Sequence, residues 1–241
     1  MDLGELPGYR QVIAAQYDER YKGLTAEASR ARRAALAPYL ARVLDALSLP
    51  DEGWHLDAGC GDGLCALAVA RARPGMQVVG VDASPRALAL ARAAAQAEGL
   101  RNASFVEGPA ESPPEASYQR VSALSLLNLL PDKEAALRAW ARVAAPGARL
   151  VVTDGFALRG GVRDGVGPLT EAHLVALARR TGWRPIRQED ITALVAKLNA
   201  AGAWPWPEYV REGMRYQVVA LERNAPGDER ARPDSNRRRT D

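Results

Sequence analysis

The amino-acid sequence predicts an α/β fold in which a doubly wound, mostly parallel sheet is covered by helices on both faces. From residue 54 onward, short apolar runs alternate with longer Ala- and Leu-rich stretches of helical periodicity. The apolar runs are residues 54–58, 76–81, 103–106, 119–124 and 148–153, and the helical stretches are residues 64–73, 85–98 and 132–145. Such alternation with short connections favours right-handed crossovers and a parallel sheet.

The two ends of the chain depart from this alternation. Residues 9–48 have the spacing of two amphipathic helices, which predicts an N-terminal helical cap over residues 1–50. The domain that follows is expected to span residues 51–222. Residues 223–241 contain Pro, Arg, Asp and Asn with almost nothing apolar, so we predict a disordered tail there.

The last third of the domain predicts a helix, a strand, a second helix and a second strand. A helix over 170–181 begins at the N-cap Thr170 and ends at Gly182. A strand over 183–188, a helix over 190–202 and a strand over 216–221 follow. The two strands are expected to be neighbours, with one antiparallel strand at the edge of the sheet.

Composition and charge exclude several classes of function. The net charge is +3, but residues 223–241 hold six Arg against four acids, which leaves a nearly neutral body without the footprint of a nucleic-acid-binding protein. The N-terminus lacks the pattern of a signal peptide, and no apolar run approaches the ~18 residues of a membrane span, so we expect a cytoplasmic protein that binds no membrane. Cys60 and Cys65 form no disulfide framework, and we predict no metal site.

A glycine loop directly after the first strand predicts a nucleoside-containing ligand. Residues 59–63 are Gly-Cys-Gly-Asp-Gly, and glycines there permit positive φ and a close approach of the ligand. A dinucleotide site has the spacing G-x-G-x-x-G, whereas this loop is G-x-G-x-G and is preceded by Asp57. A carboxylate at Asp57 repels a pyrophosphate but suits an ammonium group. The methionine end of S-adenosylmethionine carries such a group.

A second acid, Asp82, ends the second predicted strand. A carboxylate at this place can accept hydrogen bonds from both hydroxyls of a ribose. The alternative is that Asp82 caps the helix that begins at Ser84-Pro85, a role that Ser84 can also fill.

These residues resemble those of the class I methyltransferase family. The resemblance rests on residues 56–63, 80–84, 105–112 and 121–154, and with the final strands it covers roughly residues 54–221. It implies a seven-stranded sheet whose last strand is an antiparallel insertion, S-adenosylmethionine as cofactor, and methyl transfer to a small-molecule substrate. It also implies a set of cofactor-binding residues, namely Tyr17, Asp57, Gly59, Gly61, Asp82, Ala83, Ala110 and Glu111.

Alternatives remain at two of these positions. Glu111 accepts a hydrogen bond from the adenine amino group or is an exposed loop acid. Tyr17 either closes over the cofactor or packs in the core.

The stretch that resembles the border of the transferred methyl group, residues 121–132, is rich in leucine. Of the candidates for a substrate contact or catalytic role, Asp154 at the end of the fifth strand is favoured over His173 in a first helical turn and His55 in the first strand. A substrate lid is expected from residues 9–21, 155–167 and 190–212, in which residues 204–207, Trp-Pro-Trp-Pro, supply either an aromatic wall or surface packing.

Two alternative functions follow from the same residues. A nicotinamide-dependent oxidoreductase shares the architecture, although the short glycine spacing and Asp57 oppose it. A catalytically silent partner subunit that binds S-adenosylmethionine is favoured by the leucine-rich segment over 121–132.

Overall fold

A computed structural model of the protein describes residues 9–158, 168–205, 207, 210 and 212–225. Its strands are β1 (Glu52–Ala58), β2 (Gly75–Asp82), β3 (Ala103–Glu107), β4 (Tyr118–Leu124), β5 (Ala144–Ala157), β6 (Trp183–Asp190) and β7 (Met214–Arg223). Its α-helices are α1 (Tyr9–Arg20), α2 (Ala26–Ala35), α3 (Ala37–Leu47), α4 (Leu64–Ala72), α5 (Pro85–Ala97), α6 (Lys133–Val143), α7 (Glu171–Arg180) and α8 (Thr192–Ala200).

The described strands form one seven-stranded sheet of order β3-β2-β1-β4-β5-β7-β6, which confirms the predicted fold class. Strands β1 to β5 pair in parallel, and β7 pairs antiparallel with both β5 and β6. The two late strands are neighbours, as expected, and β7 is the antiparallel insertion that the resemblance implies, while β6 forms the edge and pairs antiparallel with β7. Residues 216–221 of β7 are all buried, whereas β6 has several exposed charged side chains, which an edge strand tolerates.

Two apolar cores lie on the two faces of the sheet. On one face, α3, α4, α5 and α8 cover residues such as Met76, Val78 and Val218. On the other face, α6 and α7 cover Leu56 and Val121. Burial of both faces explains why the parallel strands are continuous apolar runs.

The N-terminal region folds as three helices in place of the two predicted. Pro38 stands in the first turn of α3, so the chain breaks between α2 and α3 at Leu36. Within the predicted cap over residues 1–50, α3 packs on the sheet, where Tyr39, Val43 and Leu47 belong to the core. Only α1 and α2 therefore lie outside the layered domain.

The C-terminal third agrees with most of the predicted elements. Thr170 caps α7, accepting a hydrogen bond from the His173 amide at 3.2 Å, and Gly182 follows with φ +87°. Strand β7 continues to Arg223, whose guanidinium donates to the Ala141 and Gly182 carbonyls, so the predicted tail does not begin at residue 223. Residues 226–241 of the predicted tail and residues 159–167 of the expected substrate lid lie outside the described residues.

Each helix in the described part of the chain is too short or too polar to cross a lipid bilayer.

Candidate functional site

The glycine loop is fixed between β1 and β2 at the carboxyl edge of the sheet. Gly59, Gly61 and Gly63 have φ values of +67°, +53° and +84°, as the sequence predicts. The Gly59 amide donates to the Val81 carbonyl at 2.8 Å, and the Gly61 amide donates to Asp82 Oδ2 at 2.7 Å. The loop is therefore attached to the end of the neighbouring strand, where ligands of open α/β sheets bind.

Two loop glycines also make room for side chains from outside the sheet. A Cβ at Gly61 would lie 2.6 Å from Tyr21 Oη, and a Cβ at Gly59 would lie 2.8 Å from Leu126 Cδ1. Glycine is thus required at both positions for close approach as well as for positive φ.

Asp57 lies buried beneath the loop. Its Oδ1 accepts a hydrogen bond from the Ser122 hydroxyl at 2.6 Å, and its Oδ2 accepts one from the Ala66 amide in the first turn of α4 at 2.9 Å. Burial raises the pKa of Asp57 to about 7, although both hydrogen bonds act in the opposite direction. Asp57 is thus a buried carboxylate with no cation bonded to it in the described structure, and it suits a cationic ligand group.

Asp82 supplies a second carboxylate at the same edge. Its Oδ1 accepts from the Ser84 amide at 2.9 Å, while Oδ2 holds Gly61. Burial raises the pKa of Asp82. Ser84 caps α5 through a bond from the Ala87 amide, so the helix cap is supplied by Ser84 and Asp82 retains lone pairs toward the pocket.

The structure brings all of the predicted cofactor-binding residues to one pocket. These residues are Tyr17, Asp57, Gly59, Gly61, Asp82, Ala83, Ala110 and Glu111. The loop that carries Ala110 is fixed from below, because Trp140 Nε1 donates to the Ala110 carbonyl at 2.8 Å. Arg20 also lies over the Tyr17 ring at 5.1 Å.

Asp154 is not among the residues that line this pocket. Its carboxylate accepts from the Asn128 amide at 3.0 Å, from Asn128 Nδ2 at 2.8 Å and from the Gly155 amide at 2.9 Å. Burial raises its pKa to about 6 against these bonds. These interactions hold the turn after β4, and the substrate contact expected of Asp154 stays a prediction.

The other residues weighed from sequence also lie apart from the pocket lining. His173 is exposed in the first turn of α7. Trp204 is buried against the Tyr39 and Tyr216 rings, at centroid distances of 5.3 and 6.0 Å, so it packs in the core and does not form an aromatic wall. Pro205 does line the pocket, and Trp206 lies outside the described residues.

Helix α2 binds the glycine loop through Asp62, a contact that sequence reasoning missed. The Ser29 hydroxyl donates to Asp62 Oδ2 at 2.5 Å, and Arg32 Nη2 lies 2.7 Å from the same oxygen. Arg33 donates to the Asp62 carbonyl at 3.1 Å. The signal in the sequence was an Ala-rich helix with three arginines and one acid, but spacing alone did not reveal their partner.

Helix α1 is anchored on the other side of the pocket by Asp18. Its Oδ1 accepts from the Ser84 hydroxyl at 2.8 Å and from the Arg86 amide at 3.1 Å, and Oδ2 forms an ion pair with the Arg86 guanidinium. Together α1 and α2 form a cap that is held at both the glycine loop and the N-terminus of α5.

The remaining wall of the pocket is apolar. It includes Leu36, Pro205, Leu124 at the end of β4 and the turn that follows, in which Leu126, Leu129, Leu130 and Pro131 are apolar and Ser125 is polar. Ser125 has φ +51°, a conformation rare outside glycine, and its amide donates to the Thr153 carbonyl at 2.7 Å. This strained residue directs the turn toward the pocket.

His55, Asp57 and Cys65 are close enough for their polar atoms to be considered as metal ligands. However, the Ser122 hydroxyl lies within hydrogen-bond distance of His55 Nε2, at 3.0 Å, and of Asp57. The cluster is therefore a hydrogen-bonded network. Cys60 and Cys65 are free, buried thiols whose pKa is raised well above the usual value by burial.

Comparison with known proteins shows that part of the chain is similar to a protein family. Residues 56–147 match the family described as "Methyltransferase domain". This part of the chain is therefore similar to known methyltransferase domains. This assignment favours the expected methyltransferase over the nicotinamide-dependent alternative.

Curated relatives of the domain include small-molecule methyltransferases. A ubiquinone biosynthesis O-methyltransferase of Serratia proteamaculans is 37% identical over 95 residues, which is 38% of each chain. A demethylmenaquinone methyltransferase of Thermus thermophilus is 39% identical over 101 residues, 41% of this chain and 46% of the relative. The chain thus matches less than half the length of these relatives.

Solved structures share the fold over more of the chain. The [4+2]-cyclase SpnF superposes with a TM-score of 0.67 at 22% identity, covering 78% of this chain and 82% of its own. A phosphoethanolamine N-methyltransferase of Haemonchus contortus in complex with S-adenosyl-L-methionine has a TM-score of 0.69 at 15% identity, covering 86% and 60%. At these identities the likeness supports the fold alone.

The contact between α2 and the methyltransferase domain predicts an effect of Asp62→Asn. Asparagine keeps the size of the side chain but removes the charge that attracts Arg32 and Arg33. We expect faster amide hydrogen exchange in residues 26–35 and unchanged exchange in the central strands.

The matched control is Glu27→Gln, since Glu27 is an exposed acid on the same helix. Unchanged exchange of α2 in Asp62→Asn would show that the ion pairs do not hold the helix on the loop.

Proposed function

We propose that this protein transfers a methyl group from S-adenosylmethionine to a small-molecule acceptor. The observation that carries the proposal is the pair of carboxylates, Asp57 and Asp82, on opposite sides of a glycine loop with positive φ at Gly59, Gly61 and Gly63. When bound, the cofactor supplies a methyl group already activated on a sulfonium, so the protein must chiefly position the reactants and exclude water.

We assign the ammonium group of the methionine moiety to Asp57. This carboxylate is buried beside the loop, and a cation there would compensate the cost of burying its charge. The methionine carboxylate is assigned to Arg32, which lines the pocket and lies 2.7 Å from Asp62. Opposite charges of the ligand would thus meet opposite charges of the protein.

We assign the ribose and adenine to the other side of the loop. Asp82 accepts backbone hydrogen bonds from Gly61, Ala83 and Ser84, and its two carboxylate oxygens keep a lone pair that can accept from a ribose hydroxyl. Ala83 and Ala110 lie on the adenine side, with Glu111 as acceptor for the adenine amino group. These assignments rest on the pocket lining and on the resemblance described above.

The acceptor is assigned to the apolar wall formed by Leu36, Pro205 and the turn over residues 124–131. An apolar wall strips water from an incoming acceptor and favours molecules with an apolar body. Small-molecule relatives such as the ubiquinone and demethylmenaquinone methyltransferases support an acceptor of this kind.

Thermal unfolding tests the cofactor directly. We expect S-adenosylmethionine and S-adenosylhomocysteine at 100 times their Kd to stabilise the protein by about 2.7 kcal/mol, because they bind only the folded state. Stabilisation by NAD or NADP with no effect of the adenosyl compounds would contradict the proposal.

A second candidate is a catalytically silent subunit that binds the same cofactor, because the turn over 121–132 offers few polar groups to an acceptor. Transfer of a labelled methyl group to any member of a broad acceptor panel decides in favour of the enzyme. Ubiquinone and menaquinone precursors would be the first acceptors tested.

Substitution of Asp82 provides a test at the level of one residue. Asp82→Ala is expected to weaken S-adenosylhomocysteine binding by ~1–3 kcal/mol in calorimetry, because charge-assisted hydrogen bonds to the ribose are lost. Asp82→Asn keeps one acceptor oxygen and should lose less.

Glu107→Ala is the matched control, since Glu107 is the exposed register partner of Asp82 at the end of β3. Equal affinity of Asp82→Ala and Glu107→Ala would remove Asp82 from the ligand site.

A further inference from the structure

His55, Ser122 and Asp57 form a buried row of hydrogen-bonded side chains inside the sheet. His55 and Asp57 alternate on one face of β1, and Ser122 is the register partner of Asp57 on the adjacent strand β4. The Ser122 hydroxyl donates to Asp57 Oδ1 at 2.6 Å and lies 3.0 Å from His55 Nε2. Each of the three residues is at most 2% exposed. Burying polar side chains on an otherwise apolar strand face costs desolvation free energy that apolar residues would avoid, which indicates that these three residues have a role beyond packing.

The number of available protons determines which group donates in each hydrogen bond of this row. The Ser122 hydroxyl has one hydrogen, and it points to the carboxylate of Asp57. His55 must therefore donate from Nε2 to the Ser122 oxygen, which leaves Nδ1 as an acceptor with no hydrogen-bond partner among the described residues. Burial lowers the pKa of His55 to about 3, so the ring is neutral and carries this single N–H. The reverse direction would remove a donor from Asp57 and bury an unpaired N–H.

We propose that His55 and Ser122 are positioning residues that orient Asp57 and favour its ionised form, so that Asp57 accepts the ammonium group of the cofactor. The inference rests on the proposed function. A donor polarised by a second donor makes a stronger hydrogen bond to a carboxylate than an isolated hydroxyl does. The Ala66 amide holds the other oxygen, so the carboxylate is fixed from two sides.

Other groups that face Asp57 do not supply this effect. Asp82 at the end of β2 is a like charge and acts to raise the pKa of Asp57. The thiols of Cys60 in the loop and Cys65 in α4 stay neutral, because burial raises the pKa of each well above its usual value. Arg120, the register partner of His55, acts on the imidazole and helps keep it neutral. Ser122 and Ala66 are therefore the groups that favour the Asp57 carboxylate.

The proposal predicts how cofactor affinity depends on pH. An ammonium group binds the carboxylate form, so affinity must fall as pH drops through the pKa of Asp57, about 7 in the ligand-free protein. Removing the Ser122 hydroxyl removes a bond to the ionised form, which raises that pKa and moves the fall to higher pH.

Calorimetry with two ligands tests this. S-adenosylhomocysteine carries the ammonium group, whereas 5′-methylthioadenosine lacks the amino-acid portion but keeps ribose and adenine. At pH 6.5, we expect Ser122→Ala to weaken S-adenosylhomocysteine binding about tenfold, which corresponds to a rise of one unit in the pKa of Asp57. At pH 8.5, the affinity of the variant should approach that of the wild-type protein. Binding of 5′-methylthioadenosine should be unchanged by the substitution at either pH, which separates Asp57 from Asp82.

His55 provides a second pair of variants if Ser122→Ala does not fold. His55→Leu removes the donor to Ser122, so the fall in S-adenosylhomocysteine affinity should again move to higher pH. His55→Gln keeps a donor at this position, so the fall should lie closer to that of the wild-type protein. Thr181→Val removes a buried hydroxyl that donates to the Leu177 carbonyl, so it should change stability without changing the pH profile.

A loss of affinity that is the same at pH 6.5 and pH 8.5, or equal for both ligands, would overturn the proposal while leaving the cofactor assignment intact. Failure of the wild-type protein to bind S-adenosylhomocysteine at any pH would overturn the proposed function itself.

Discussion

The hydrogen bond from the Gly61 amide to Asp82 holds together the site on which the protein's function depends. It joins the loop that follows β1 to the carboxyl end of β2, and the bond from Gly59 to Val81 reinforces it. A turn held in this way requires positive φ, and only glycine adopts that conformation without strain at several positions in succession. The loop presents a carboxylate on each side, Asp57 and Asp82, and the parallel pairing of β1 with β2 sets their spacing.

The cap of α1 and α2 depends on the same loop. Asp62, inside the loop, attracts Ser29, Arg32 and Arg33, and Asp18 attaches α1 to the start of α5. These contacts hold α1 and α2 over the pocket. The ion pair of Arg32 with Asp62 is only partly exposed, so solvent and salt screen it less than they screen a surface ion pair. Helices α1 and α2 are thus fixed by polar and charged contacts to the glycine loop and to the N-terminus of α5.

The layered sheet could be predicted from the sequence, and so could the meeting of the glycine loop, Asp57 and Asp82 at one pocket, because alternation and glycine spacing are local signals. Asp57 and Asp82 each end a strand, and the carboxyl ends of parallel strands meet at one edge. The insertion of β7 between β5 and β6 came from the family resemblance, because the apolar pattern of the two late strands did not by itself show which of them forms the edge. The ion pairs of Asp62 with Arg32 and Arg33 were not predicted, because the position of an arginine on a helix does not show which acidic side chain it contacts in the folded protein. The hydrogen bonds of Asp154 to Asn128 could not be predicted, since the two residues lie 26 positions apart in sequence, and the substrate contact of Asp154 stays a prediction.

The most direct test of this account is a crystal structure of the protein with S-adenosylhomocysteine. The account predicts the ligand at the carboxyl edge of β1 and β2, with its ammonium group within hydrogen-bond distance of Asp57 and its ribose hydroxyls on Asp82. A ligand bound elsewhere, or one in this pocket with the ribose at Asp57 and the amino acid at Asp82, would contradict it.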